Sequence, residues 1–503
     1  MTSARQVALG FILLFAVAAL PVLTVSLPPL VDYPNHLARM HILMTAGHNE
    51  PLDRYYATNW AWQPNLAMDM MVPALARLMP LETAGRLFIL IIFALIAGGA
   101  LWLHRTIYRR WSLWPLAAFL FLYNRVLLWG FLNYLFGVGL ALCGLALWLR
   151  LLRHPWLRLL TASALAILLY FSHIAAFGAY ALMVAGAEIE PLWKALRGRD
   201  WRGLGRRTIL LAVPFLAPIL VFLSTWHDDA DGELGFGRFW RKADLLFSVF
   251  DDYNRAFDAV CFALTIGALG VLAARRRLGF ARGPAWSLGL LVAAYLLLPS
   301  QLLGGSGADH RMPVMLFVLF VAVSMPRLDR RWALGIGGLL GAIFLVRMAV
   351  IERAWVATVP IFDAARAALD QLPVGARLAV GFPEREVNVT AVSDVHLPTL
   401  TVLDRDGLVP TLFAIPSQQP VLVREPYVTP VSEAVPEDVW GSLHGDGRDH
   451  GTILRTLKGF DFVVLMDREP FQIQQDCLRP LYLTPTFQLF AFDYTAGPCV
   501  PKW

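Results

Sequence analysis

Residues 28–39 read Pro-Pro-Leu-Val-Asp-Tyr-Pro-Asn-His-Leu-Ala-Arg, and they follow the first long apolar run of the chain, residues 7–27. A run of that length can cross a bilayer. What comes next is not a second apolar run but a long polar stretch, 28–84, which opens with ionisable groups at Asp32, His36 and Arg39. Their spacing of i, i+4 and i+7 puts all three on one face if the segment is helical. Charged groups beside a membrane span are costly and usually serve a site. Each also has a plainer reading. Asp32, just ahead of Pro34, suits a helix N-cap. His36 suits the polar headgroup level, and Arg39 could snorkel toward lipid phosphates.

Ten further apolar segments follow, at 86–103, 112–129, 131–149, 159–171, 174–190, 208–225, 257–274, 284–303, 312–326 and 332–351. The chain is 57% hydrophobic and 16% charged, whereas soluble proteins carry about a quarter charged residues. This composition specifies a polytopic α-helical membrane protein. The net charge of +6 does not indicate nucleic acid, because the arginines lie in short loops between apolar runs. That is an orientation signal. The basic clusters fall at 105–110, 150–158, 194–207, 275–282 and 327–331. Placing them in the cytoplasm gives eleven spans with the N-terminus inside and the C-terminus outside. It also requires 159–190 to be a tight hairpin turning at Ser172-His173. Arg5 ahead of the first run resembles a signal peptide, but the run is long enough to span and the cleavage pattern is weak, so it reads as an uncleaved first helix. The expected location is a bacterial inner membrane.

Two domains are expected. Residues 1–351 form the membrane domain with its long outer first loop, 28–84, and residues 352–503 form an extracytoplasmic α/β domain. In the latter, Ile361, Phe362, Ala365, Leu369 and Leu372 have helical spacing that ends at Pro373-Val374-Gly375. Strands are expected at 377–382, 460–466 and 487–494, and long loops across the Pro- and Gly-rich stretch 383–450. Cys143 and Cys261 lie in apolar segments and read as small buried residues. Cys477 and Cys499 flank the last expected strand; an oxidising compartment would permit a disulfide between them, with two unrelated thiols as the alternative.

Other candidate site residues are scattered. Arg125 lies near the expected outer end of the third span and could hold a phosphate or merely snorkel. His173 sits at the hairpin turn, and Asp309-His310-Arg311 at a short outer turn between spans nine and ten. Tyr55, Tyr56, Trp60 and Trp62 suit interfacial anchoring, with stacking on a sugar as the alternative. Asp53, Asp69 and the outer acids Asp228, Asp229, Asp231, Glu233, Asp251 and Asp252 are further carboxylates. No zinc motif, P-loop, dinucleotide fingerprint, hydrolase elbow or transporter-like repeat is present.

The organisation resembles the GT-C class of membrane glycosyltransferases, such as protein O-mannosyltransferases and lipid A aminoarabinose transferases. The resemblance spans the chain as architecture. As motif it rests on Pro28 through Arg39, with Ser172-His173 a looser match. It implies a polyprenyl-phosphate-linked sugar as donor and a lipid, glycan or protein as acceptor. It also implies Asp32 and His36 as catalytic residues, and Arg39, Arg125, His173, His310 and Arg311 as substrate-binding ones. Many members carry two adjacent acids in this loop, whereas here Tyr33 follows Asp32. A divalent metal is therefore compatible with the resemblance but not specified by any motif. Two other classes fit the bare composition: a flippase or transporter for lipid-linked sugars, and a noncatalytic membrane scaffold.

Overall fold

The computed structural model describes residues 2–225, 235–302, 305–384, 394–416, 418–444, 451–497 and 499. The acids Asp228, Asp229, Asp231 and Glu233 lie outside the described residues. The chain divides into two compact units. One comprises 1–24, 62–68 and 86–354; the other comprises 25–61, 69–85 and 355–503.

The first unit is helical. Among the described residues, eight helices are long and apolar enough to cross a membrane: Ala4–Thr24, Leu81–Tyr108, Leu132–Arg150, Pro155–Ser172, Ile174–Arg197, Trp201–Thr225, Arg255–Ala274 and Arg330–Leu369. Outward-facing leucines and isoleucines, such as Leu13, Leu160, Leu220 and Leu334, are exposed on them, as expected where lipid is the solvent. Helices approach closely at small residues. A Cβ on Gly186 would lie 2.4 Å from the backbone of Ser287, so the helix Ile174–Arg197 meets the helix Arg282–Leu297 nearly backbone to backbone. Ser287 Oγ donates to Met183 O at 2.6 Å across the same crossing.

The other three apolar segments form shorter helices. Residues 284–303 give Arg282–Leu297, and 312–326 give Met312–Val323. Segment 112–129 is interrupted, with a 3₁₀ helix Trp114–Phe121 followed by a short α-helix Arg125–Trp129. The break has a local cause. Asn124 Oδ1 accepts the Leu127 N–H at 3.1 Å as an N-cap, and Gly130 ends the turn at φ 92°. The helical period expected at 361–372 is not a separate element. It is the end of the 40-residue helix Arg330–Leu369, which passes through Pro360.

The second unit is built on a four-stranded sheet. Leu378–Gly381 runs parallel to Phe462–Met466, which pairs antiparallel with Phe487–Phe492, and that strand pairs antiparallel with Leu478–Leu483. The two parallel strands are almost wholly buried, which explains their unbroken apolar sequence. The helix Pro436–His444 supplies Val439, Trp440 and Leu443 to the core, which they share with Val463, Phe471 and Phe490. Cys477 and Cys499 are joined by a disulfide. The loops expected across 383–450 contain helices Leu400–Arg405, Val428–Glu433 and Pro436–His444. They are short and carry little periodicity, so turn-forming residues dominated their sequence.

The polar stretch after the first span contributes to this same unit. It holds the helix Tyr33–Thr45, and its strand Tyr56–Thr58 pairs antiparallel with Val421–Val423. Tyr55 and Tyr56 are therefore core residues rather than membrane anchors: Tyr55 Oη donates to Gly375 O at 2.6 Å, and Tyr56 Oη accepts the Val409 N–H at 3.2 Å. Trp60 and Trp62 remain 54% and 68% exposed, as interfacial anchors would be.

Candidate active site

The segment that opens the polar stretch is a helix because Asp32 and Pro34 start it well. Proline fits the first turn, where its missing N–H costs nothing. Asp32 stands at the N-cap position, but its carboxylate makes no capping hydrogen bond. It faces a histidine instead: His396 Nε2 lies 3.6 Å from Asp32 Oδ1. His396 is in turn held by Asn35, whose Nδ2 lies 3.3 Å from His396 Nδ1, and by the edge of Phe413, with ring centroids 4.9 Å apart. Asn35 is anchored to backbone on both sides of its amide, through Thr411 O at 2.6 Å and Phe413 N at 2.8 Å. Burial pushes the His396 imidazole down to about 4, so it is neutral at pH 7.

One turn further along, His36 is buried and meets the same Phe413 ring edge-on at 6.3 Å. Arg39, on the same face, is fully buried and engages Asp69 through Nε at 2.6 Å and Nη2 at 3.1 Å. This bidentate pair ties the helix Tyr33–Thr45 to Asp69. His41 adds a further tie, with Nε2 2.9 Å from Asp406 Oδ1. Asp53 is also occupied structurally, as its carboxylate accepts the N–H groups of Gly47 and Asn49 at 2.8 and 3.2 Å. Asp32 and His36 thus share a surface with His396 and Phe413, neither of which the sequence singled out.

Arg125, His173, His310 and Arg311 belong to the first unit. Arg125 opens the short helix Arg125–Trp129 and pairs with buried Asp251. Arg347 holds the chain close to both members of this pair, donating to Phe250 O at 2.9 Å, Tyr123 O at 3.0 Å and Asp252 Oδ2 at 2.9 Å. His310 stacks on Trp129 at 5.2 Å. Arg311 lies over the Phe131 ring at 4.4 Å and donates from Nη1 to Gly307 O at 2.8 Å. Asp309 takes Lys242 as its partner, at 3.2 Å. Burial lowers the His310 pKa most; Asp309 opposes this, and the fields of Arg125, Arg241 and Arg311 add to the lowering. Four basic groups thus converge around one short turn. Lys242 and Arg241 were missed because the segment that holds them, 226–256, was read for its acids. His173 is instead a helix cap: its Nδ1 accepts the Ala175 N–H at 3.1 Å, and its ring meets Tyr134 at 5.4 Å.

Among the described residues, no group of three or more His, Cys, Asp or Glu side chains could hold a metal ion. A cavity of about 1150 Å³ opens in the first unit among Gly10, Arg105, Trp114, Gly337 and Phe344, and none of the expected site residues lines it.

No protein-family model matches the chain, and no curated protein matches it in sequence. Solved structures do. The crystal structure of ArnT from Cupriavidus metallidurans bound to undecaprenyl phosphate aligns over 97% of this chain and 99% of that one, with a TM-score of 0.53 at 14% identity. The chain has the fold of ArnT. The same protein in its apo state aligns over equal shares with a TM-score of 0.49. ArnT is a lipid A aminoarabinose transferase of the GT-C class, so this is the architecture that the resemblance anticipates. With several helices long and apolar enough to span among its described residues, the chain is an integral membrane protein.

Proposed function

We propose that this protein is a membrane glycosyltransferase that moves a sugar from a polyprenyl-phosphate carrier to a lipid, glycan or protein acceptor. The reaction takes place at the outer face of a bacterial inner membrane, with the N-terminus in the cytoplasm and residues 352–503 outside. The observation that carries this reading is the ArnT fold across 97% of the chain, ArnT itself having been crystallised with undecaprenyl phosphate.

The chemistry is nucleophilic substitution at an anomeric carbon. Asp32 takes the proton from the acceptor hydroxyl as its oxygen attacks, and the bond from the anomeric carbon to the phosphate oxygen breaks. The electron pair leaves with the lipid phosphate, and fixed cations stabilise that developing charge. Arg125, Arg241 and Arg311 serve this purpose, with His310 as a neutral donor among them. His36, on the same helical face as Asp32, orients the acceptor. Arg39 serves by holding the helix through Asp69 rather than by touching substrate.

The test is turnover by purified protein in proteoliposomes supplied with undecaprenyl-phosphate-linked hexoses and pentoses, following release of undecaprenyl phosphate. Asp32→Asn should lower the rate by about 10²-fold or more while leaving thermal unfolding unchanged. Carriage of the intact lipid-linked sugar across the bilayer without bond cleavage would overturn the reading in favour of a flippase. Full turnover in Asp32→Asn would move the base elsewhere.

A further inference from the structure

The side-chain amide of Asn35 can face only one way. Its Oδ1 accepts the Phe413 N–H at 2.8 Å and its Nδ2 donates to Thr411 O at 2.6 Å. Flipping the amide would set N–H against N–H and oxygen against oxygen. Nδ2 is therefore the atom that lies 3.3 Å from His396 Nδ1. An amide nitrogen only donates, so Nδ1 must accept, and the single proton of the neutral imidazole resides on Nε2. Protonating the ring would set an Nδ1–H against the Asn35 amide hydrogens, so the same contact disfavours the imidazolium. Phe413, tilted 73° to the imidazole, fixes the ring plane. Nε2 is the nitrogen turned toward Asp32 Oδ1, 3.6 Å away.

We propose that His396 is a positioning residue for Asp32: Asn35 locks its tautomer, and the Nε2–H orients the Asp32 carboxylate. At 3.6 Å the two atoms are beyond hydrogen-bond length; the contact closes when the acceptor binds, as catalytic hydrogen bonds often do. A donor on Oδ1 fixes the orientation in which the carboxylate meets the acceptor's proton. A neutral donor does this without the full positive charge that would blunt a base. Asn35 and His396 are 361 residues apart in the chain, so the arrangement couples the helix Tyr33–Thr45 to the turn before Leu397. This inference rests on the reading of Asp32 as the general base.

Two measurements test it separately from that reading. In the undecaprenyl-phosphate-sugar assay, His396→Ala should lower kcat about tenfold or more with the KM for the donor lipid little changed, and His396→Gln, which keeps an N–H donor, should recover part of the loss. In an Asp32→Asn background, His396→Ala should cost nothing further, because the residue acts through Asp32. An equal loss in both backgrounds would mean a merely structural role and would overturn the proposal. Full activity in Asp32→Asn alone would instead overturn the base assignment. The second measurement needs no turnover. With ¹⁵N-histidine-labelled protein in nanodiscs at pH 7, the resonances lost in His396→Gln should show an unprotonated Nδ1 and a protonated Nε2. A protonated Nδ1 would refute the proposal outright.

Discussion

Replacing Arg39 by methionine, Asp69 by leucine, and both together separates a structural arginine from a substrate-binding one. The two side chains are joined by hydrogen bonds of 2.6 and 3.1 Å, and each is 1% exposed or less. Removing one partner strands a charge where water cannot reach it, at a cost of about 3–5 kcal/mol. Removing both leaves an apolar contact of similar volume, which is often close to neutral. Arg39 Nη1 has no hydrogen-bond partner among the described residues, and the double replacement also relieves that deficit. Thermal unfolding in detergent at a fixed scan rate should show each single variant melting roughly 6–20 °C below the parent, with most of the loss restored in the double variant. The fixed rate matters because unfolding of a large membrane protein is read as a rate. Single variants that melt like the parent but raise the KM for the donor lipid would refute the structural assignment and return Arg39 to the substrate.

The remaining predictions concern His396, the disulfide and the basic turn. Burial holds the folded His396 at about 4 against an unfolded value of about 6.5, so the unfolded chain binds more protons and the histidine's contribution is whole above pH 6.5. It is lost as the pH falls toward 4, amounting to about 2 kcal/mol by pH 5. His396→Gln should flatten the stability profile between pH 5 and 7, and an unchanged slope would contradict the buried neutral state. Mass spectrometry of unreduced protein should find the Cys477 and Cys499 peptides linked, the bridge closing a separation of 22 residues and contributing about 3 kcal/mol by the chain-entropy account; two alkylatable thiols would disprove it. Arg241→Gln and Arg311→Gln should each weaken undecaprenyl phosphate binding about tenfold, more so at low salt. Lys242→Gln should instead lower stability, since Lys242 answers Asp309. Unaltered affinity in both arginine variants would remove the basic turn from the site.

What could be read from the sequence was whatever repeats locally. The apolar runs became helices such as Leu132–Arg150 and Arg255–Ala274, and the i, i+4, i+7 pattern of Asp32, His36 and Arg39 became one helix with its N-cap. Short apolar strands such as Phe462–Met466 were legible because full burial leaves them no alternation to disguise. The interruption at Asn124 was legible in principle, since Asn ahead of a charged residue and Gly130 just after Trp129 are helix start and stop signals. The partners were not legible. His396 reaches Asp32 from the far end of the chain, and it sits among residues with no helical or strand period. Lys242 and Asp309 are 67 residues apart, and nothing in either neighbourhood marks the other. Arg39 looked like a phosphate ligand because an arginine beside a membrane span usually faces something polar. Here that something is Asp69, which the structure sets in the helix Ala67–Leu75 within the stretch read as a polar loop.

The pairing of Tyr56–Thr58 with Val421–Val423 also has a consequence for synthesis. The helix Tyr33–Thr45 leaves the ribosome among the first segments of the chain, yet Thr411 and Phe413, which clasp Asn35, are separated from it by 376 and 378 residues. At about 5–20 residues per second the early segment waits for something like 20–75 seconds with its polar face unmatched. For that interval the helix Tyr33–Thr45 lacks the residues that hold Asn35. A product truncated before residue 394 lacks the partners of Asn35 and of Tyr56–Thr58, so the peptide bonds of residues 33–58 would be left without the contacts that protect them.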